Sequence, residues 1–424
     1  MTPRLPALLT GLIGLAMAAQ AHAAWVTTWS ASPEPPTQAS GPFPATPSFE
    51  DQTVRQVVRV SAGGGRVRVR LTNEYGAKAL HIGAAHIALA GPDGSIRPST
   101  DHILTFSGAG DATIPAGAPL VSDPVAMDVH ALSSLAVSLY LPEQTGQCTC
   151  HATSQQTLYI ADHGDQTGAP TLPAQPGKFP GPRAFLSGVE VDAAKGAHTV
   201  VLFGDSITDG VGSTPNANRR WPDRLAERLA RQPGNWGVAN QGISGNRVLR
   251  DGAAQSALAR FDRDVLAVPG AAYVVVFEGV NDLGRAAPPP NAPSFFGGAP
   301  EPVTAAQMIS GYQQLIARAH SKGLKIYGAT IAPYGGAGYW SDQGEAMRTA
   351  INGWIRRSHA FDGVIDFDPA LQDPAHQTQI RAGLHAGDHL HGSDAGYKAM
   401  ADAIDLKLFV SNTGHERSAK RTRR

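Results

Sequence analysis

Two hydrophobic periods divide the chain. From Trp25 to about Pro170, apolar residues come in short runs with a period near two. The run 54–60 is β-branched and apolar-rich, whereas 66–71 alternates strictly. Val67, Val69 and Leu71 share one face of that second run, and Arg66, Arg68 and Arg70 share the other. That alternation predicts a half-buried antiparallel strand. Gly63-Gly64-Gly65 supplies a turn between the two runs, so they predict a hairpin. Further strands are expected over 79–89, 103–106, 132–141 and 157–160, punctuated by Gly91-Pro92-Asp93-Gly94 and Ala116-Gly117. Short strands with no long helical pattern between them predict a β-sandwich. The arginine face offers a surface for acidic sugars, and a solvated strand face is the simpler reading.

From His198 the period changes. Buried strands expected at 199–203, 236–240, 272–277, 325–330 and 363–367 alternate with helical stretches at 221–231, 253–266, 304–321, 343–359 and 394–408. Five β-α units of this kind predict a parallel sheet with helices on both faces. The Pro- and Gly-rich stretch 168–182 reads as a linker, and 185–191 as one more strand against the first domain. A long Pro/Gly loop at 285–302 follows the third strand, a length often associated with function. The expected boundaries are a β-sandwich domain at 24–190, an α/β domain at 191–410, and a basic, disordered tail at 411–424.

Composition narrows the setting. At 424 residues, two domains are the expected count. Lys+Arg and Asp+Glu balance at 35 each, so no net field recruits nucleic acid or an anionic membrane. Arg4, the apolar stretch 8–19 and Ala21-His22-Ala23 together read as a signal peptide over 1–23. The apolar stretch is too short to span a bilayer. The expectation is an exported protein, secreted or periplasmic, with no stable membrane anchor. Its two cysteines, Cys148 and Cys150, form a local staple in that oxidising setting, with free thiols the alternative. His151 alone does not complete a metal site beside them, and neither metal nor cofactor is expected.

Candidate chemistry gathers at the ends of the expected parallel strands, where open α/β sheets bind ligands. Val200-Val201-Leu202-Phe203 runs into Gly204-Asp205-Ser206. Two readings apply there: a serine nucleophile on a strand-to-helix turn, or an ordinary helix N-cap. An acyl-transfer serine needs a base, an orienter for that base, and donors for the developing oxyanion. After the second strand comes the Gly-rich turn Asn240-Gln241-Gly242-Ile243-Ser244-Gly245-Asn246, and after the third comes Gly279-Val280-Asn281-Asp282. Before the last helix, Gly387-Asp388-His389-Leu390-His391 places an acid and a base three residues apart. His385 and His389 compete with His391 as the base, and spacing to Asp388 favours His391. Asp205 reads as a brace for the turn. Tyr334, Tyr339 and Trp340 offer rings to stack on a sugar or aryl group, against ordinary loop packing.

These blocks resemble the SGNH (GDSL-type) hydrolase superfamily, over residues 198–410. Gly204-Asp205-Ser206-Ile207, Ile243-Ser244-Gly245-Asn246, Gly279-Val280-Asn281-Asp282 and Asp388-His389-Leu390-His391 match its four blocks in order. Val280 stands where many members have a second glycine, and Gly392 where proline is common. The resemblance implies a flavodoxin-like three-layer fold and a triad of Ser206, His391 and Asp388. It also implies an oxyanion hole from the N–H groups of Ser206 and Gly245 and the Asn281 side chain. The whole chain further resembles the branch of secreted arylesterases and acylhydrolases linked to xylan degradation. The expected substrate is a small acyl ester or acylated carbohydrate. A lipase or lysophospholipase is one alternative, and a carbohydrate-binding protein using the β domain is another.

Overall fold

A computed structural model describes residues 24–39, 45–175, 181–193, 195–290, 292 and 300–410. The expected signal peptide and basic tail lie outside those residues, as do 291 and 293–299 of the 285–302 loop. Two five-stranded antiparallel sheets form the first part of the chain. In one, Leu186–Ala193 lies between Ala24–Ser30 and Gly64–Thr72, with Pro119–Val121 and Val125–Val129 also pairing to Gly64–Thr72. In the other, Gln52–Arg59 and Ser134–Leu141 pair centrally, flanked by Leu158–Ala161 on one side and by Ala84–Leu89 then His102–Ile103 on the other. Val67, Val69, Leu71, Val189 and Val191 from the first sheet share one core with Val54, Val58, Leu135, Val137 and Leu139 from the second.

The hairpin expectation fails. Gln52–Arg59 and Gly64–Thr72 sit in different sheets, and the glycine run carries the chain from one to the other. Alternation identifies a buried face but not the strand that will pair with it. Here the charged face chose the partner: Arg68 lies in register with Glu190 and meets it at 2.5 Å, and Arg66 meets Asp192 at 2.6 Å. The Arg68 guanidinium also lies 4.2 Å from the centre of the Trp25 ring. The described residues of the stretch read as a linker, 168–175 and 181–182, belong to the β part instead. Leu172 packs against Tyr159, and Gly181–Ala184 pairs with Cys150–Gln156.

From His198 a five-stranded parallel sheet is built from His198–Gly204, Trp236–Gly242, Ala271–Phe277, Lys325–Ala329 and Gly363–Ile365. Their spatial order is second, first, third, fourth, fifth, the doubly wound order of flavodoxin-like sheets. Val200 to Phe203 are wholly buried, as an uninterrupted apolar run in such a sheet requires. Trp221–Leu229 packs against Asp394–Ala403, and Ala305–Ser321 packs against both Ala257–Phe261 and Asp342–Arg357. The expected last strand stops at Ile365, because Asp366 begins a short helix, Phe367–Leu371. The expected last helix breaks after Ala403 and resumes at Lys407–Val410.

The two parts are joined through strands that each lie at the edge of their own sheet, Ala24–Ser30 and Trp236–Gly242. Thr199 Oγ1 accepts from Thr27 N at 3.1 Å, Ser61 Oγ accepts from Val238 N at 2.7 Å, and Ser30 Oγ donates to Asn240 O at 3.2 Å. The Ala24–Ser30 strand thereby runs beside the second parallel strand. No helix among the described residues is long and apolar enough to cross a membrane.

Candidate active site

The first parallel strand lies between the second and third, so its carboxyl end is the switch point where flanking loops diverge and leave a crevice. Ser206 stands there, 6% exposed, as the first residue of the helix Ser206–Asp209. Asp205 is the N-cap, its Oδ1 accepting from Ile207 N at 2.9 Å. The capping and nucleophile readings thus apply to adjacent residues and do not compete. Gly204 permits the tight turn: a Cβ there would lie 2.3 Å from both Phe277 O and Thr208 Oγ1.

His391 Nε2 lies 2.8 Å from Ser206 Oγ, and its Nδ1 lies 2.5 Å from Asp388 Oδ2. The N–H groups of Leu390 and His391 bond to Asp388 Oδ1 at 3.0 and 2.9 Å, so the carboxylate closes its own loop. Desolvation raises the Asp388 pKa, but the hydrogen bond and charge of His391, with those two amides, outweigh it and hold the group at about 2. An ionised Asp388 accepts from Nδ1–H, which leaves Nε2 free to accept from the serine hydroxyl. His389 turns away, with a backbone φ of 60°, and stacks on His385 at 4.3 Å between ring centres.

Two further expected groups converge on the same end of the sheet. Ile243 to Asn246 form a turn closed by Asn246 N–H to Ile243 O at 3.1 Å, with Gly245 at φ 75°. Positive φ at the third turn position is what a type II turn asks of glycine. The N–H groups of Ser206 and Gly245 donate to no protein oxygen among the described residues. Asn281 lies on Val280–Ala286, a helix the sequence pattern did not predict. One of its amide hydrogens reaches Asn246 O at 2.9 Å, and Tyr339 OH donates to its Oδ1 at 3.3 Å. Those contacts fix the amide's orientation and leave its second N–H available.

Of the three expected rings, Tyr334 and Tyr339 do not present open faces, and Trp340 is half-buried against the core. Tyr334 and Tyr339 are buried, and Tyr339 acts on the site through Asn281. Arg247 pairs with Glu301 at 2.9 Å, tying the end of the long loop to the segment after Gly245. Asp282 accepts from Val248 N at 2.8 Å and Leu249 N at 3.2 Å, joining the second and third blocks. Burial raises the Asp282 pKa to about 6, the amides opposing.

Sequence reasoning missed Arg260, which has no exposed side-chain surface. Its guanidinium donates to Gly204 O at 2.9 Å, Gln241 O at 2.8 Å, Asn246 Oδ1 at 2.8 Å and Asp264 Oδ2 at 3.0 Å. It thereby links the turns around Ser206 and Gly245 from below. Glu278 lies 3.7 Å away with neither oxygen hydrogen-bonded, and desolvation together with Asp205 raises its pKa strongly. Desolvation also lifts Asp205 to about 7, against the Ile207 amide. An Arg, Asp or Glu in an amphipathic pattern reads as surface, so nothing in the sequence signals this buried cluster.

Residues 202–399 match the profile of the GDSL-like lipase/acylhydrolase family. Among solved structures, the chain is similar to the lipase/acylhydrolase from Enterococcus faecalis, at 22% identity, 49% coverage of this chain, 93% of the other and a TM-score of 0.38. It is similar to an acetyl xylan esterase, AlAXEase, at 22% identity, 48% and 96% coverage and a TM-score of 0.35. A third is a GDSL-like lipase from Bacteroides thetaiotaomicron, at 17% identity, 50% and 87% coverage and a TM-score of 0.37. No curated protein sequence matches.

Proposed function

We propose, from the match of residues 202–399 to the GDSL-like lipase/acylhydrolase family, that this chain is a serine carboxylesterase of that family. One observation carries the reading: Asp388, His391 and Ser206 form an unbroken hydrogen-bonded chain, of 2.5 and 2.8 Å, at the sheet's switch point. Ser206 Oγ attacks the ester carbonyl carbon while His391 Nε2 takes its proton. The oxyanion is received by the N–H groups of Ser206 and Gly245 and the free amide hydrogen of Asn281. His391 returns the proton to the leaving alcohol, and Asp388 stabilises the imidazolium in between. A water activated by His391 then releases the acyl group from Ser206.

The substrate proposed is a small acyl ester, including acetyl groups on a plant polysaccharide. The two antiparallel sheets are read as a β-sandwich, and export follows from the expected signal peptide at 1–23. Replacing Ser206 by Ala is expected to abolish turnover of p-nitrophenyl acetate, and labelling by a fluorophosphonate, while the circular dichroism spectrum is kept. Full turnover in Ser206→Ala would sink the assignment. Turnover that rises with acyl-chain length beyond eight or so carbons would favour a lipase; a panel of acetylated xylan, acetylated pectin and aryl esters identifies the alcohol.

A further inference from the structure

His151 takes no part in the proposed reaction, yet it is buried between two carboxylates that join the β sheets to the nucleophile turn. Its Nε2 lies 2.9 Å from Asp209 Oδ1, and its Nδ1 lies 3.1 Å from both Glu34 Oε1 and Ser32 O. Burial alone lowers the imidazole pKa, but Asp209 and Glu34 outweigh it and raise the group to about 10. The ring is therefore an imidazolium bonded on both sides. On the β side its frame is held firmly. Cys150 is disulfide-bonded to Cys148, His151 pairs in register with Arg183, and Glu34 is tied by its N–H to Cys150 O and by Oε1 to Ala152 N, both at 2.8 Å.

On the other side, Asp209 ends the helix that Ser206 begins. Its second oxygen accepts from Thr153 Oγ1 at 2.6 Å and from Ser244 Oγ at 2.8 Å, and those two hydroxyls are 2.9 Å apart. Ser244 immediately precedes Gly245, whose N–H is unengaged. One carboxylate thus holds the end of the nucleophile helix and the start of the oxyanion turn in a single frame, and its charge is balanced from the β domain. Arg220, also close to Asp209, is already engaged by Asp223 at 2.7 and 3.0 Å.

We propose that His151 is a positioning residue for the oxyanion hole, acting through Asp209 and Ser244, so that the β domain sets the geometry of the reaction. This rests on the reading of Ser206 as nucleophile. Mispositioned donors weaken transition-state binding more than ground-state binding, so the effect belongs in kcat.

The test compares full-length parent, His151→Gln, and Thr153→Val, which keeps the ion pair but removes one hydroxyl at Asp209. Fluorophosphonate labelling counts competent sites, p-nitrophenyl acetate gives kcat and KM, and hydrogen exchange follows the peptide spanning 243–248. The expected result for His151→Gln is a kcat lower by about 10- to 100-fold, less than the roughly 10²–10³ of a donor lost outright because the donors are displaced and not removed. KM should stay within about threefold, with faster exchange at 244–246. In an Asn281→Ala background the same substitution should cost much less, because the donors act as a unit. Unchanged kcat and exchange, a loss confined to KM, or an equal loss in the Asn281→Ala background would each overturn the proposal. If His151→Gln does not fold, Thr153→Val is judged by the same criteria. A parent inert toward every ester overturns the esterase reading, and the exchange comparison then decides the positioning claim alone.

Discussion

Replacing Arg260 by Met tests whether the buried guanidinium holds the site's two turns together. The magnitude follows from which partners each acceptor keeps. Gly204 O retains the Ile243 N–H at 3.0 Å and Asp264 Oδ2 retains Arg263 at 3.0 Å, while Ser32 Oγ, which donates to Gln241 Oε1 at 2.5 Å, loses only a long bond of 3.3 Å from Arg260. Asn246 Oδ1 loses its donor, and Glu278, which has no hydrogen bond to its oxygens, loses the cation beside it. A buried acceptor left without a partner costs about 1–3 kcal/mol. Met restores part of the packing that the Arg260 stem and guanidinium make over the Phe203 ring, 4.0 Å away. The sum is about 3–4 kcal/mol, near the lower end of what breaking a buried ion pair costs. Urea unfolding followed by tryptophan fluorescence measures it, and ester turnover at 20 °C, where the variant remains folded, measures the rest. Because Asn246 O also accepts from Asn281, turnover per folded molecule is expected to fall by about tenfold or more, on the scale of a weakened oxyanion donor. A stability loss below about 1 kcal/mol with full turnover would refute the argument that this arginine organises the turns.

Two further outcomes follow from the same geometry. Asn281→Ala should lower kcat by about 10²–10³ with little change in KM, and Tyr339→Phe, which only frees the amide's orientation, should cost far less; equal losses would contradict the roles given to them. Asp205→Asn should flatten the parent's stability-versus-pH curve: the folded-state pKa of Asp205 is raised from 3.8 to about 7, so its contribution is present below pH 3.8 and lost as pH rises to about 7. Urea midpoints at pH 4, 5.5 and 7 check this, and a parent curve as flat as the variant's would contradict it.

Much of the second domain was legible because its signals are local. Uninterrupted apolar runs such as 200–203 mark strands buried on both faces, and the structure places a parallel strand at each of the five expected positions. The β part was legible as strands but not as sheets. The alternation in Arg66–Leu71 gives the two faces correctly, with Val67, Val69 and Leu71 fully buried. It cannot say that the partner is Leu186–Ala193, because that choice rests on Glu190 and Asp192 more than a hundred residues away. Short helices also escaped: Val280–Ala286 carries Gly284 and only two turns, too little for a periodic signal.

The same division runs through the site. Ser206, Gly245, Asn281, Asp388 and His391 sit in short motifs whose chemistry shows in the residues themselves, and the structure brings all five to one end of one sheet. What sets their positions is invisible locally. Arg260, Tyr339 and His151 are buried polar groups with partners on other elements, and Glu278 is buried beside Arg260 with no hydrogen bond to its oxygens. Burying such a group without partners is costly, so its presence in a core implies a satisfied network or a group kept neutral. Here the networks converge on the two turns that carry Ser206 and Gly245, Arg260 from beneath the sheet's end and His151 from the β domain. Neither touches the crevice. Donors aimed at a developing charge must not relax when it forms, and rigidity of that kind requires bonds on the side away from the substrate. The turn that carries the proposed nucleophile, Ser206–Asp209, is a helix of only four residues and draws such bonds from other elements. On the proposal made for His151, the β domain supplies them through Asp209, which would let a domain with no motif of its own bear on the chemistry.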